Sequence, residues 1–188
     1  MTRRLFVAVD PPEEARADLE RAVQPMRDCD GAPRWAAPDR WHLTLLFLGA
    51  VADDLVPALT VATGDAVAAA PPMRLRLAGA GRFGSLRRPQ VFWAGLDGDV
   101  APLAELAGRL AAAARSLDLA VEDRPFRPHL TLGRWAPRRP ADGLLPERLA
   151  GYRGPPWPVR EVRLVESHLG RRAPYETVAA WPVTRRTP

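Results

Sequence analysis

The tetrapeptide His-Leu-Thr-Leu occurs twice, at 42–45 and at 129–132, in a chain of 188 residues with only three histidines. A repeated element is the mark of an internal duplication. Each copy reads as a strand, in which residues i and i+2 share a face. His42 and Thr44 therefore point one way and Leu43 and Leu45 the other; His129 and Thr131 oppose Leu130 and Leu132 in the same manner. Two duplicated lobes within one domain over 1–188 would bring both histidines to one place. The expected fold class is α+β and bilobal, with pseudo-symmetric antiparallel sheets facing a central cleft and helices outside.

The rest of the chain fits two halves. Residues 4–9 read as a buried strand. Asp10-Pro11-Pro12-Glu13 starts a helix, since proline suits a first turn and acidic side chains suit its positive end. Leu19, Ala22, Val23 and Met26 give that helix its apolar face. A loop over 31–39, a strand over 41–48 closed by Gly49, and a helix over 53–70 follow. Residues 73–78 alternate as a half-buried strand, and 79–89 read as a Gly/Arg-rich loop. The order then restarts, with a strand over 90–96, a helix over 100–117 and the second repeat. Residues 136–158 read as a long loop with one short helix near 144–149. Strands over 159–169 and 175–183, joined by a turn at 170–174, close the chain.

Two imidazoles and two hydroxyls around one point are equipped for acid–base chemistry across one bond. Imidazole titrates near pH 6.5, so one histidine can accept a proton while the other donates. Threonine hydroxyls can donate to the non-bridging oxygens of a phosphate, where transition-state charge is held. No metal or other cofactor is needed. One cysteine and three scattered histidines have no ligand spacing, and no Gly-rich loop resembles a triphosphate cradle.

Composition adds bounds. The formal charge of +5 is carried by 27 basic residues, all arginine. That charge suits a polyanion such as RNA, although the lack of Lys, Ile and Asn also fits a GC-rich coding bias. No apolar run is long enough to span a membrane, the N-terminus does not read as a signal peptide, and the single Cys29 cannot form an internal disulfide. A cytoplasmic monomer without membrane attachment is expected.

His42-Leu43-Thr44-Leu45 with Phe47-Leu48-Gly49, and Arg127-Pro128-His129-Leu130-Thr131-Leu132-Gly133-Arg134, resemble the paired HxTx motifs of the two-histidine phosphoesterase superfamily. The chain is most similar to the RNA 2′,3′-cyclic phosphodiesterases historically called 2′-5′ RNA ligases. Leu5 to Val9, Gly81 to Gly84, Val91 to Leu96, Leu164 to Leu169 and Tyr175-Glu176 extend the resemblance over nearly the whole chain. It implies metal-independent hydrolysis of a ribose 2′,3′-cyclic phosphate, on RNA or a small cyclic nucleotide, to a 2′-phosphomonoester. It also implies His42 as proton donor and His129 as proton acceptor. The alternatives are a 2′-5′ phosphodiesterase, reversible 2′-5′ end joining, and an RNA-binding protein with a vestigial site.

Two further residues are candidates for substrate binding. Arg134 lies where the family often has a phosphate-contacting cation, but strict alternation turns it away from His129 unless a bulge intervenes. Phe83, in a Gly-flanked segment, is suited to stack on a base. His168 lies outside either motif and reads as a supporting or surface residue. Arg127 and Trp41 adjoin the motif histidines, and Cys29 reads as packing.

Overall fold

Leu43 of the first repeat pairs antiparallel with Leu130 of the second, and this contact joins the two halves of the sheet. The two leucines are the same position of the two copies. An antiparallel pair between equivalent residues defines a local two-fold axis, so the repeat is also the centre of the fold. The structure is a computed structural model that describes residues 1–137, 140–168 and 175–184.

On one side of the axis, β3 (Leu43–Ala52) pairs with β1 (Thr2–Val9), β1 with β8 (Glu161–Ser167), and β8 with β9 (Tyr175–Pro182). On the other, β6 (Leu130–Arg134) pairs with β5 (Pro89–Gly98), β5 with β4 (Arg74–Gly84), and β4 with β7 (Trp157–Pro158). A two-residue strand, β2 (Arg34–Trp35), pairs with β6 on the edge that β3 leaves after the central leucines. All these pairings are antiparallel.

One face of the sheet carries the core. Leu5, Val7, Val9, Leu43, Leu45, Leu77, Phe92, Leu130 and Leu132 are buried there. They pack with Leu19 of α1 (Glu13–Val23), Leu59 of α2 (Val56–Ala68) and Leu103, Leu106 and Leu110 of α3 (Val100–Arg115). α1 follows β1 but touches β4 of the other half, and α3 follows β5 but touches β3. Each helix therefore fastens one half to the other. The opposite face holds a small separate cluster of Phe6, Ala8 and Val165. Among the described residues no helix is long and apolar enough to cross a membrane.

Both repeats carry the same irregularity. Ala8 pairs with Thr44 and Val7 with Leu46, so Leu45 is the extra residue of a bulge. Trp93 pairs with Thr131 and Phe92 with Gly133, so Leu132 is its counterpart. Two consecutive residues then face the core, and the fifth residue after each histidine returns to the histidine's face. The burial pattern is the same in both copies: buried, intermediate, buried, buried, exposed.

Several boundaries differ from the sequence expectation. β3 does not stop at Gly49; the glycine takes a positive φ of 69° within a bulge and the strand runs on to Ala52. β4 continues through the stretch expected as loop, to Gly84, and leaves only four residues before β5. The expected loop over 31–39 contains β2. The long segment after β6 contains the expected short helix, as a 3₁₀ turn over Leu145–Leu149, and also the unexpected strand β7. The expected turn at 170–174 lies outside the described residues.

Candidate active site

The central pair fixes the site. Carried one residue either way, the Leu43–Leu130 register sets His42 opposite Thr131 and Thr44 opposite His129. All four then lie on the face away from the core, with the histidines on a diagonal about 7–8 Å apart at their backbones. All four are half-buried.

The two imidazoles are held in the same way. His42 Nδ1 lies 2.8 Å from the Arg40 carbonyl oxygen, and His129 Nδ1 lies 2.6 Å from the Arg127 carbonyl oxygen. A carbonyl only accepts, so Nδ1 carries the proton in each ring and Nε2 is left for chemistry. Burial is the largest influence on both rings and holds each below the usual 6.5; the carbonyl contacts pull the other way. Aromatic rings wall both. Phe6 and Tyr175 stand 4.9 and 5.3 Å from His42, and Phe83 and Trp93 stand 4.8 and 6.4 Å from His129. Tyr175 and Phe83 each meet their histidine edge-on, at 87° and 88°.

Around this symmetric centre the flanking residues differ. Carrying the Val9–Leu43 pair one residue onward sets Asp10 opposite His42. The same step from Ala94–Leu130 sets Gly95 opposite His129. A side chain at 95 would meet the Ala78 carbonyl oxygen at 2.6 Å. The first histidine thus has a carboxylate neighbour where the second has none. Asp10 raises the His42 pKa, Arg163 and His129 lower it, and Arg134 lowers that of His129.

Arg163 reaches the site because its strand neighbours, Ala8 and Ala180, are small. It pairs with Asp10, and its Nη1 donates to Thr177 Oγ1 at 2.9 Å. At the equivalent place in the other half, Trp93 lies over Gly81, where a Cβ would stand 2.3 Å from the indole. That is why a glycine occurs in mid-strand there.

The bulge settles where Arg134 points. It pairs with Val91, which pairs with Phe83, and Phe83 packs on His129, so Arg134 is on the histidine face. The equivalent position in the first repeat is Phe47, which is 62% exposed. Phe83 is part of β4 rather than of a loop. Trp41 is buried in the core, and Arg127 is exposed.

His168 does not join this group. It stands between two carboxylates, Nε2 3.1 Å from Glu176 and Nδ1 3.7 Å from Glu166. Glu166 pairs with Leu5, which faces the core, so this trio is on the reverse of the sheet. Its carboxylates take opposite ring nitrogens, and one ligand atom from each of the three residues lies within 4.8 Å of the others. Cys29 Sγ accepts from Arg148 Nη1 at 3.1 Å, remote from the repeats.

Asp10, Arg163, Tyr175 and Trp93 were not singled out from sequence. Asp10 reads there as a helix-start acid, and Arg163 as one of many arginines. The available signal for Trp93 was the glycine at 81, whose partner only the strand pairing reveals.

A family model described as the 2′-5′ RNA ligase superfamily matches residues 10–171. A Geobacillus stearothermophilus protein named RNA 2′,3′-cyclic phosphodiesterase is 32% identical over 95% of this chain, which spans only 56% of that protein. A Thermus thermophilus protein of the same name is 35% identical over 93% of this chain and 87% of its own length. The crystal structure of Escherichia coli LigT complexed with 3′-AMP is 29% identical at a TM-score of 0.76, covering 98% of this chain and all of the other.

Proposed function

The chain belongs to the 2′-5′ RNA ligase superfamily, and from that premise we propose that it hydrolyses 2′,3′-cyclic phosphates on RNA ends, or on small cyclic nucleotides, to 2′-phosphomonoesters without a metal. The observation that carries this reading is the Leu43–Leu130 pair. It turns two imidazoles, each with Nε2 available, and two threonine hydroxyls to one face of the sheet at one place.

In this mechanism His129 Nε2 takes a proton from water. The water oxygen attacks phosphorus in line as the bond to the ribose 3′ oxygen breaks, and His42 Nε2 gives its proton to that departing oxygen. Thr44 and Thr131 donate hydrogen bonds to the non-bridging oxygens, and Arg134, further along β6 on the same face, adds positive charge to the substrate-binding surface. His42 ends neutral and His129 protonated, and exchange with solvent restores both. Asp10 favours the charged form of His42 against Arg163 and His129, which oppose it, whereas His129 has Arg134 opposing protonation and, among the described residues, no carboxylate to offset it. That imbalance supports His42 as donor and His129 as acceptor. Both proton transfers are made by side chains, so the reaction needs no Lewis acid.

The test is a short RNA ending in a 2′,3′-cyclic phosphate, incubated with the protein in EDTA, with 2′- and 3′-phosphate products resolved. Formation of the 2′-phosphate is expected, and its loss in His42→Ala and in His129→Ala. No product across about pH 5–9 would overturn the reading. Activity lost to EDTA and restored by a divalent ion would overturn its metal-free part.

A further inference from the structure

We propose that Arg34 and Arg134 together hold a second phosphate, the internal phosphodiester of an RNA strand next to the reacting end. This rests on the cyclic-phosphate reading and extends it from a reacting centre to a strand-binding site.

The argument starts from β2. Arg34 pairs with Arg134, and Trp35 with Gly133. Opposed residues of an antiparallel pair share a face. Trp35 and Gly133 face the core, where Trp35 packs on Phe92 at 5.5 Å. Arg34 and Arg134 consequently lie side by side on the histidine face, and both are exposed. Like charges directly opposite each other are unfavourable in a sheet. Among the described residues neither Arg34 nor Arg134 has a carboxylate partner; several other arginines also lack one, and what sets these two apart is that they stand directly opposite each other.

The fold holds the pair together firmly. The Ala36 amide donates to the Leu132 carbonyl oxygen at 2.8 Å, and Arg27 lies 5.6 Å from the centre of the Trp35 ring. Gly133 is what lets β2 dock, since a Cβ there would stand 2.8 Å from the Arg34 carbonyl oxygen. A strand of two residues, core-anchored on one side, thus sets a second guanidinium beside the first. Two adjacent forks that lack a counter-charge match the oxygens of a phosphodiester.

The position selects the ligand. Arg134 is three residues beyond Thr131 on β6, within about 10 Å at strand rise, and the bulge between them shortens that span. Arg34 lies one strand spacing, about 4.8 Å, further out. A phosphate reaching both while the cyclic end lies between the histidines is one link along the same chain. The same anion chemistry would fit the 5′-phosphate of a single nucleotide. Arg34 lies on β2, which among the described residues pairs with β6 alone, so a substrate chain continuing beyond the pair meets no further strand of the sheet, which favours RNA.

The experiment compares kcat/KM for three substrates: a nucleoside 2′,3′-cyclic phosphate, its 5′-phosphorylated form, and a dinucleotide ending in the cyclic phosphate. Wild-type protein should prefer the dinucleotide over the nucleoside by tenfold or more, on the order of one charged hydrogen-bond contact. Arg34→Gln should collapse that ratio, and Arg34→Lys should restore only part of it, since an ammonium keeps the charge and loses the fork. Binding of an unreactive oligonucleotide ending in a 2′-phosphate should lose about 0.7 from its log–log salt slope in Arg34→Gln. An unchanged ratio and slope in Arg34→Gln would sink the subsite. A 5′-phosphorylated nucleoside that gains as much as the dinucleotide would replace the strand with a terminal phosphate. If no substrate turns over, the cyclic-phosphate reading fails, while the salt slope still decides the subsite.

Discussion

The half of the cleft around His42 and the half around His129 share a backbone and differ in what flanks it. Strand pairing, the bulge after the threonine and the carbonyl that fixes each imidazole are common to both. The neighbours are not. Asp10 stands where the other half has Gly95, Arg163 with Ala8 where it has Gly81 under Trp93, and Phe47 where it has Arg134. Backbone symmetry puts two equivalent acid–base groups at one phosphate. In the proposed reaction the unlike neighbours give the cleft a direction, with Asp10 beside the proton donor and Arg134 beside the proton acceptor.

The most severe way to break the comparison is to remove one histidine at a time. His42→Ala and His129→Ala should each lower kcat about 10²–10⁴-fold, the range for general acid–base groups. Both proteins should keep the wild-type melting temperature within a few degrees, because each ring is only half-buried. A variant that kept near-wild-type kcat would show that its half is not a partner in the reaction.

The next test disturbs a packing contact that the second half has and the first lacks, Trp93 over Gly81. Gly81→Ala forces a methyl into the Trp93 indole, where the Cβ would be 2.3 Å away. Overpacking of this kind costs about 1–3 kcal/mol, and the displaced indole should disturb Thr131, its strand partner, and so raise KM. In a Trp93→Ala background the same change should be nearly neutral. A double-mutant cycle on thermal stability measures this coupling; additive effects would mean that Trp93 does not rest on that glycine.

The shared face of His42, Thr44, His129 and Thr131, the frame of the proposed site, could be read from sequence because it depends on short-range alternation with the leucines between them. What escaped depends on pairing between distant strands. The 79–84 segment looks like a loop because its glycines are turn residues, and only the Trp93 indole explains one of them in mid-strand. β2 is too short to show any periodicity; its strand character comes from hydrogen bonds to β6. Arg134 was ambiguous for the same reason, since the extra residue at Leu132 is a property of the β5–β6 pair. Asp10 satisfies local helix-start chemistry and so conceals its second role beside Arg163.

The finest test uses pH to ask whether Asp10 and Arg163 set the direction. In the proposed mechanism the reacting fraction has His129 neutral and His42 protonated. Burial holds both pKa values below 6.5, so kcat/KM should follow a bell whose maximum lies on the acid side of that value. Alkaline of both pKa values, His129 is already neutral and the rate follows the protonated fraction of His42 alone. Acid of both, it follows the neutral fraction of His129 alone. Asp10 raises the His42 pKa and Arg163 lowers it. Asp10→Asn should therefore reduce kcat/KM several-fold near pH 8 and leave the acid limb in place. Arg163→Gln should increase the alkaline rate, and Asp10→Glu should approach wild type. With exchanged roles the pattern inverts: Asp10→Asn would then raise the acid limb and spare the alkaline one. A pair that merely braces β1 against β8 would scale the whole profile and move neither limb.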